Sequence, residues 1–128
     1  MARHKTYRLG DLQLKILKVL WDKREAAVGT VLENLNGHSD LAYTTVATML
    51  RKMEARGLVA HRTDGRTFVY HAKVEANDVS RSLTNHLVER VVEGSVIDAV
   101  NHLLTARDVS RDELAALERL IVEKKKGL

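Results

Sequence analysis

Apolar residues recur with a helical period along most of the chain, and the pattern breaks where turn-forming residues fall. Leu9, Leu12, Ile16, Val19 and Leu20 share one stripe of a first helix, while Leu14, Leu17 and Trp21 share a second stripe of the same segment. Two apolar stripes imply burial on two sides. Gly10 is an acceptable N-cap, Asp11 suits the positive end of the helix dipole, and the helix is expected to end near Lys23 and Arg24. Val28, Val31, Leu32 and Leu35 then repeat at i, i+3, i+4 and i+7. They predict a short second helix that starts at Ala26 and Ala27 without a Ser or Thr cap and stops at Asn36 and Gly37.

After a polar break over 37–40, Val46, Met49, Leu50 and Met53 mark the core face of a third helix, and Gly57 fits the left-handed position that closes it. The opposite face carries Thr44, Thr45, Thr48, Arg51, Lys52 and Arg56. Two β-rich runs, 58–63 and 66–71, flank Asp64 and Gly65, a strong hairpin signal. A two-residue turn there would pair Thr63 with Arg66, Arg62 with Thr67 and His61 with Phe68. An isolated hairpin is barely stable in water, so this one must pack on the helices.

From Val74 the pattern is helical to the end. Val79, Leu83, Leu87 and Val91 line one stripe, and Val96, Ile97, Val100, Leu103 and Leu104 line a shorter one after Gly94 and Ser95. Ser110 and Glu113 form a capping box that opens a last helix with Leu114, Leu117, Leu120 and Ile121 on one face. Lys124, Lys125 and Lys126 suit its C-terminal end.

Charge divides the chain in two. Up to Lys73, Lys and Arg number 13 against 7 Asp and Glu; from Val74 onward they number 8 against 10. All five aromatics, Tyr7, Trp21, Tyr43, Phe68 and Tyr70, lie in the basic part. The expected organisation is a reading domain over 1–73 and a helical dimerisation domain over 74–128, because small helical units without aromatics bury too little surface alone. Their expected pairing residues are Val79, Leu83, Leu87, Val91, Leu103, Leu117, Leu120 and Ile121.

Composition narrows the chemistry. At 128 residues without cysteine, the chain can form no disulfide, thiolate metal site or Cys nucleophile. No apolar run has the length of a membrane span and no signal-peptide core follows the first residues, so a cytoplasmic location is expected. The phosphate-loop, dinucleotide-loop, nucleophile-elbow and His-Glu-x-x-His motifs are missing, so no enzyme and no catalytic residue is expected. His4, His38, His61, His71, His86 and His102 offer no close helical pair, and neither a metal nor a cofactor is expected.

Three helices followed by two strands describe a mainly α fold with a small β-hairpin, the order of a winged helix-turn-helix. In that geometry the N-terminal end of the third helix enters the major groove of double-stranded DNA. Hydroxyls there bond base edges and a Thr methyl touches the thymine methyl, which assigns base contacts to Thr44, Thr45 and Thr48. Arg51, Lys52, the wing residues Arg62 and Arg66, and Arg3 and Lys5 in the N-terminal arm are placed for backbone phosphates. Two other readings use the same fold: a protein-interaction module, and a regulator sensing a small ligand in the helical half.

The strings LGDLQLKILKVLW over 9–21, LAYTTVATMLRKM over 41–53 and GLV over 57–59 resemble the penicillinase-repressor family. The resemblance runs more loosely through the C-terminal helices to nearly the whole chain. It implies a homodimeric bacterial repressor on a palindromic operator, with Thr44, Thr45 and Thr48 base-facing and Lys52 phosphate-facing. Some members carry Lys where this chain has Thr44, so an operator sequence does not transfer. The resemblance also implies relief by proteolysis through a membrane sensor-protease system, at a place matching Asn101 and His102, where the Asn is kept and the usual Phe is replaced. A copper-sensing branch of similar proteins uses cysteine pairs, which this chain lacks.

Overall fold

In the computed structural model, which describes residues 7–35 and 40–128, the two-striped segment forms α1 (Asp11–Lys23) with Ile16, Leu17, Val19 and Leu20 buried. Gln13 Oε1 accepts the N–H of Gly10 at 3.2 Å and secures the first turn. Arg24, with φ of 71°, turns the chain out of α1, an uncommon conformation for a residue with a side chain.

Beyond Arg24 the chain departs from the expected helix start. Residues Glu25–Ala27 are extended and form a short strand, β1, before α2 (Val28–Glu33). Ala27 is still the N-cap, and it provides no side-chain cap. The extra strand is possible because residues 25–27 pair with a hairpin strand far along the chain, which satisfies their backbone groups without a helix. The expected stop at Asn36 and Gly37, and the break as far as Ser39, lie outside the described residues.

The third helix, α3 (Tyr43–Ala55), buries Val46, Leu50 and Met53. Gly57, at φ of 78°, ends it. The N–H of Gly57 bonds to the carbonyl of Glu54 at 3.0 Å and that of Leu58 to the carbonyl of Met53 at 3.0 Å. This paired closure satisfies two end carbonyls and directs the buried Leu58 back onto the core.

Strands β2 (Val59–Asp64) and β3 (Thr67–Ala72) make the hairpin, and β1 adds to the other side of β3 in an antiparallel sheet of order β1-β3-β2. The register corrects the sequence expectation. Thr63 pairs with Phe68, Arg62 with Val69 and His61 with Tyr70, so the turn residues are Gly65 and Arg66 rather than Asp64 and Gly65. Only Gly65 carries a positive φ, of 64°. A turn that needs its single positive φ at the first central position places Gly65 there and spares Asp64 that conformation.

Ile16, Leu17, Leu20, Val31, Val46, Leu50, Met53, Val59 and Tyr70 belong to one buried cluster, contributed by three helices and the sheet. Compactness extends past the wing into α4 (Ala76–Val91), where the chain divides into two units between Thr84 and Asn85. The start of α4 is fixed in the first unit by three features. Trp21 Nε1 donates to the Val74 carbonyl at 2.9 Å, the Tyr7 N–H donates to Ser82 Oγ at 3.0 Å, and Val79 is fully buried. The second unit holds the rest of α4, α5 (Val96–Ala106) and α6 (Arg111–Lys126), and no residue of 85–128 is buried. Both helices open on side-chain caps, Ser95 accepting from Asp98 N–H and Ser110 from Glu113 N–H, each at 3.1 Å. No helix of the described residues is long and apolar enough to cross a membrane.

Candidate nucleic-acid interface

The exposed side of α3 is a consequence of its period. With Val46, Leu50 and Met53 turned into the core, Thr44, Thr45, Arg51 and Lys52 are left exposed and Thr48 half-buried. The helix begins at Ala42 with no side-chain cap, so the threonine hydroxyls of its first turn are not used to close the helix. Thr44, Thr45, Thr48 and Lys52, with Met49, line one shallow depression. Arg51 Nη2 donates to Thr48 Oγ1 at 3.2 Å, which holds the guanidinium beside the hydroxyl row. The three expected base-facing residues and the two expected helix cations are thereby brought onto one continuous surface.

Arg56 ends the helix differently. Its Nη2 donates to the Arg8 carbonyl at 2.6 Å and its Nη1 to Gln13 Oε1 at 3.2 Å, while Gln13 Nε2 donates to Met49 Sδ at 3.4 Å. This cation locks α3 to the start of α1.

The wing is tied to α3 from the opposite side. His61 Nδ1 lies 2.6 Å from Glu54 Oε1, and the imidazole stacks on Phe68 with ring centres 4.1 Å apart. Tyr70, tilted against the same imidazole, is buried, and that burial with the nearby Glu54 charge raises its phenol above the ordinary value. Tyr43 at the start of α3 remains 56% exposed and Phe68 44% exposed.

The expected wing cations part company. Arg66 sits in the hairpin turn and is exposed. Arg62, expected to contact a phosphate, is paired with Glu25 in the chain alone. Its Nε donates to Glu25 Oε2 at 3.1 Å and its Nη2 to Oε1 at 2.7 Å, a two-pronged bond spanning β3. The bond holds the Glu25 carboxyl below the usual range and raises Arg62 further. Glu25 carries no signal in the sequence, because its partner lies 37 residues away and the β1 strand that presents it has no local signature. Arg3 and Lys5 lie outside the described residues.

Of the expected pairing residues, Val79 is corrected: it is fully buried within the chain and has no surface left for a partner. Leu83 is half-buried, and Leu87, Val91, Leu103, Leu117, Leu120 and Ile121 are exposed. Asn101 and His102 are exposed on α5, and Thr105 Oγ1 donates to both their carbonyls, at 2.9 and 3.2 Å.

A third helix with an outward hydroxyl and cation face, braced by a β-wing, defines a winged-helix DNA-binding protein. A family model described as penicillinase repressor matches residues 9–123. The chain belongs to that family of DNA-binding transcriptional repressors, which are not enzymes. It is 35% identical over 126 residues to the transcriptional regulator BlaI of Mycobacterium tuberculosis, covering 96% of this chain and 89% of that protein. It is 22% identical over 121 residues to the methicillin resistance regulatory protein MecI of Staphylococcus aureus, covering 94% and 98%. The solved DNA binding domain of the repressor BlaI superposes with a TM-score of 0.50 at 28% identity, over 59% of this chain and 93% of that domain.

Proposed function

We propose that this repressor acts as a homodimer that occupies a palindromic operator and blocks transcription by occlusion. The observation that carries the dimer is the second unit: Leu87, Val91, Leu103, Leu120 and Ile121 are all more than half exposed, and a helical unit with no buried residue has no core of its own. A second copy supplies the missing cover. Residues 1–73 would read DNA and 74–128 would pair chains. In the complex, Thr44, Thr45 and Thr48 contact base edges, while Arg51, Lys52 and Arg66, with Arg3 and Lys5 of the arm, contact phosphates.

The solution mass of the full chain, measured by light scattering with and without duplex DNA, tests this reading. A particle of two chains that binds duplex as two chains supports it; a stable monomer contradicts it.

Release from DNA by cleavage between Asn101 and His102 is a second proposal, favoured by the exposure of both residues on a helix without buried positions. Cutting there separates α6 from the rest of the pairing half. The signal would reach it from a membrane sensor-protease system. An intact band after incubation with the activated protease contradicts it.

A further inference from the structure

Arg62 of the wing has two of its N–H donors already engaged by the protein. Arg62 and Glu25 meet on the outer face of the sheet, where Arg62 pairs in register with Val69 and Glu25 with His71, so the guanidinium reaches over the middle strand. Two parallel N–H···O bonds to a carboxylate reproduce the geometry with which Arg grips a phosphate. Both side chains are about half exposed, at 53% and 45%. An ion pair in that setting is weak on balance and exchanges readily. Glu25 is also set apart from the rest of the wing, whose other face holds His61 and Phe68 in a stacked pair.

We propose that Glu25 is a built-in phosphate surrogate: it occupies Arg62 in the free protein and gives it up to a DNA phosphate on binding. The inference rests on the DNA-binding reading above and adds to it a residue that weakens binding. Every DNA complex then has to displace a carboxylate before the wing gains its phosphate contact. That displacement is uniform across sequences, so it lowers affinity for random DNA and for an operator by the same factor. The pair therefore sets the overall strength of DNA binding without touching a base.

The test is a double-mutant cycle on the full chain with Glu25→Gln, Arg62→Ala and the two combined, measured by fluorescence anisotropy on a labelled duplex of mixed random sequence over a salt series. Both residues are exposed, and an unchanged thermal midpoint checks that each variant is folded. Glu25→Gln is expected to tighten binding several-fold at low salt and to steepen the salt slope by about one unit, because no freed carboxylate then takes up a cation when Arg62 turns to the phosphate. In the Arg62→Ala background the same change is expected to do neither. An equal gain in both backgrounds means that Glu25 acts only by its charge, and no gain in either means that the pair is irrelevant to DNA; each overturns the inference. Failure of the DNA-binding reading looks different, because then the unsubstituted protein itself shows no salt-dependent binding.

Discussion

His61 Nδ1 and Glu54 Oε1 stand 2.6 Å apart and join the wing to the recognition helix. The contact reaches from the last turn of α3 to the middle of β2, and Phe68 stacks on the same imidazole. A wing held this way keeps a set angle to the helix, so phosphate contacts from one and base contacts from the other fall at a fixed spacing on the duplex. His61→Ala is expected to cost about 1 kcal/mol of stability through the lost bond and stacking. It should also speed hydrogen exchange of the β2 and β3 amides. Unchanged exchange would mean that the sheet alone fixes the wing.

The exposed face of α3 divides into readers and holders. Thr45→Ala is expected to relax base preference at one operator position with a loss of about 1–3 kcal/mol there, and to leave random-sequence binding nearly unchanged. Lys52→Ala should lower affinity on all sequences and flatten the salt slope by about one unit. Competition binding on operator variants and a salt titration separate the two. Identical effects of both changes on specific and random DNA would contradict the division.

Tyr70 offers a pH readout with a defined sign. Its phenol is raised by burial, so the folded protein prefers the neutral form and the unfolded chain ionises first. Stability should therefore hold at neutral pH and fall as pH rises through the ordinary tyrosine value of about 10, until the folded value is reached. Absorbance of tyrosinate during alkaline titration should show a late-titrating phenol that disappears in Tyr70→Phe.

The pairing surface should break under charge. Leu87→Glu combined with Leu120→Glu places carboxylates on two exposed apolar positions, so it is expected to yield monomers by light scattering while the wing and α1–α3 retain their fold. A dimer that persists would place the interface elsewhere.

Much of the fold is legible in the sequence because burial imposes a period on side chains. The stripes of α1 and α3, the Gly57 closure and the Ser110 capping box all follow from local chemistry, and the threonine and cation face of α3 follows by subtraction. Long-range pairing is not legible. β1 is three residues, two of them alanine, and becomes a strand only because β3 lies beside it. The hairpin register turns on which neighbour of Gly65 shares the turn, a choice that two dipeptides containing the same glycine leave open locally. The Glu25 partner of Arg62 and the burial of Val79 are not legible for the same reason: both are set by parts of the chain distant in sequence.

Two α3 helices of one dimer reading a two-fold operator leave a signature in the DNA they select. Enrichment of duplexes by the full chain from a random-sequence library, followed by sequencing, reads it directly. Inverted half-sites are expected, with centres one helical turn, about 34–36 Å, or a multiple of it apart. Selected sequences with single, unpaired sites, or no enrichment at all, would contradict the dimeric reading.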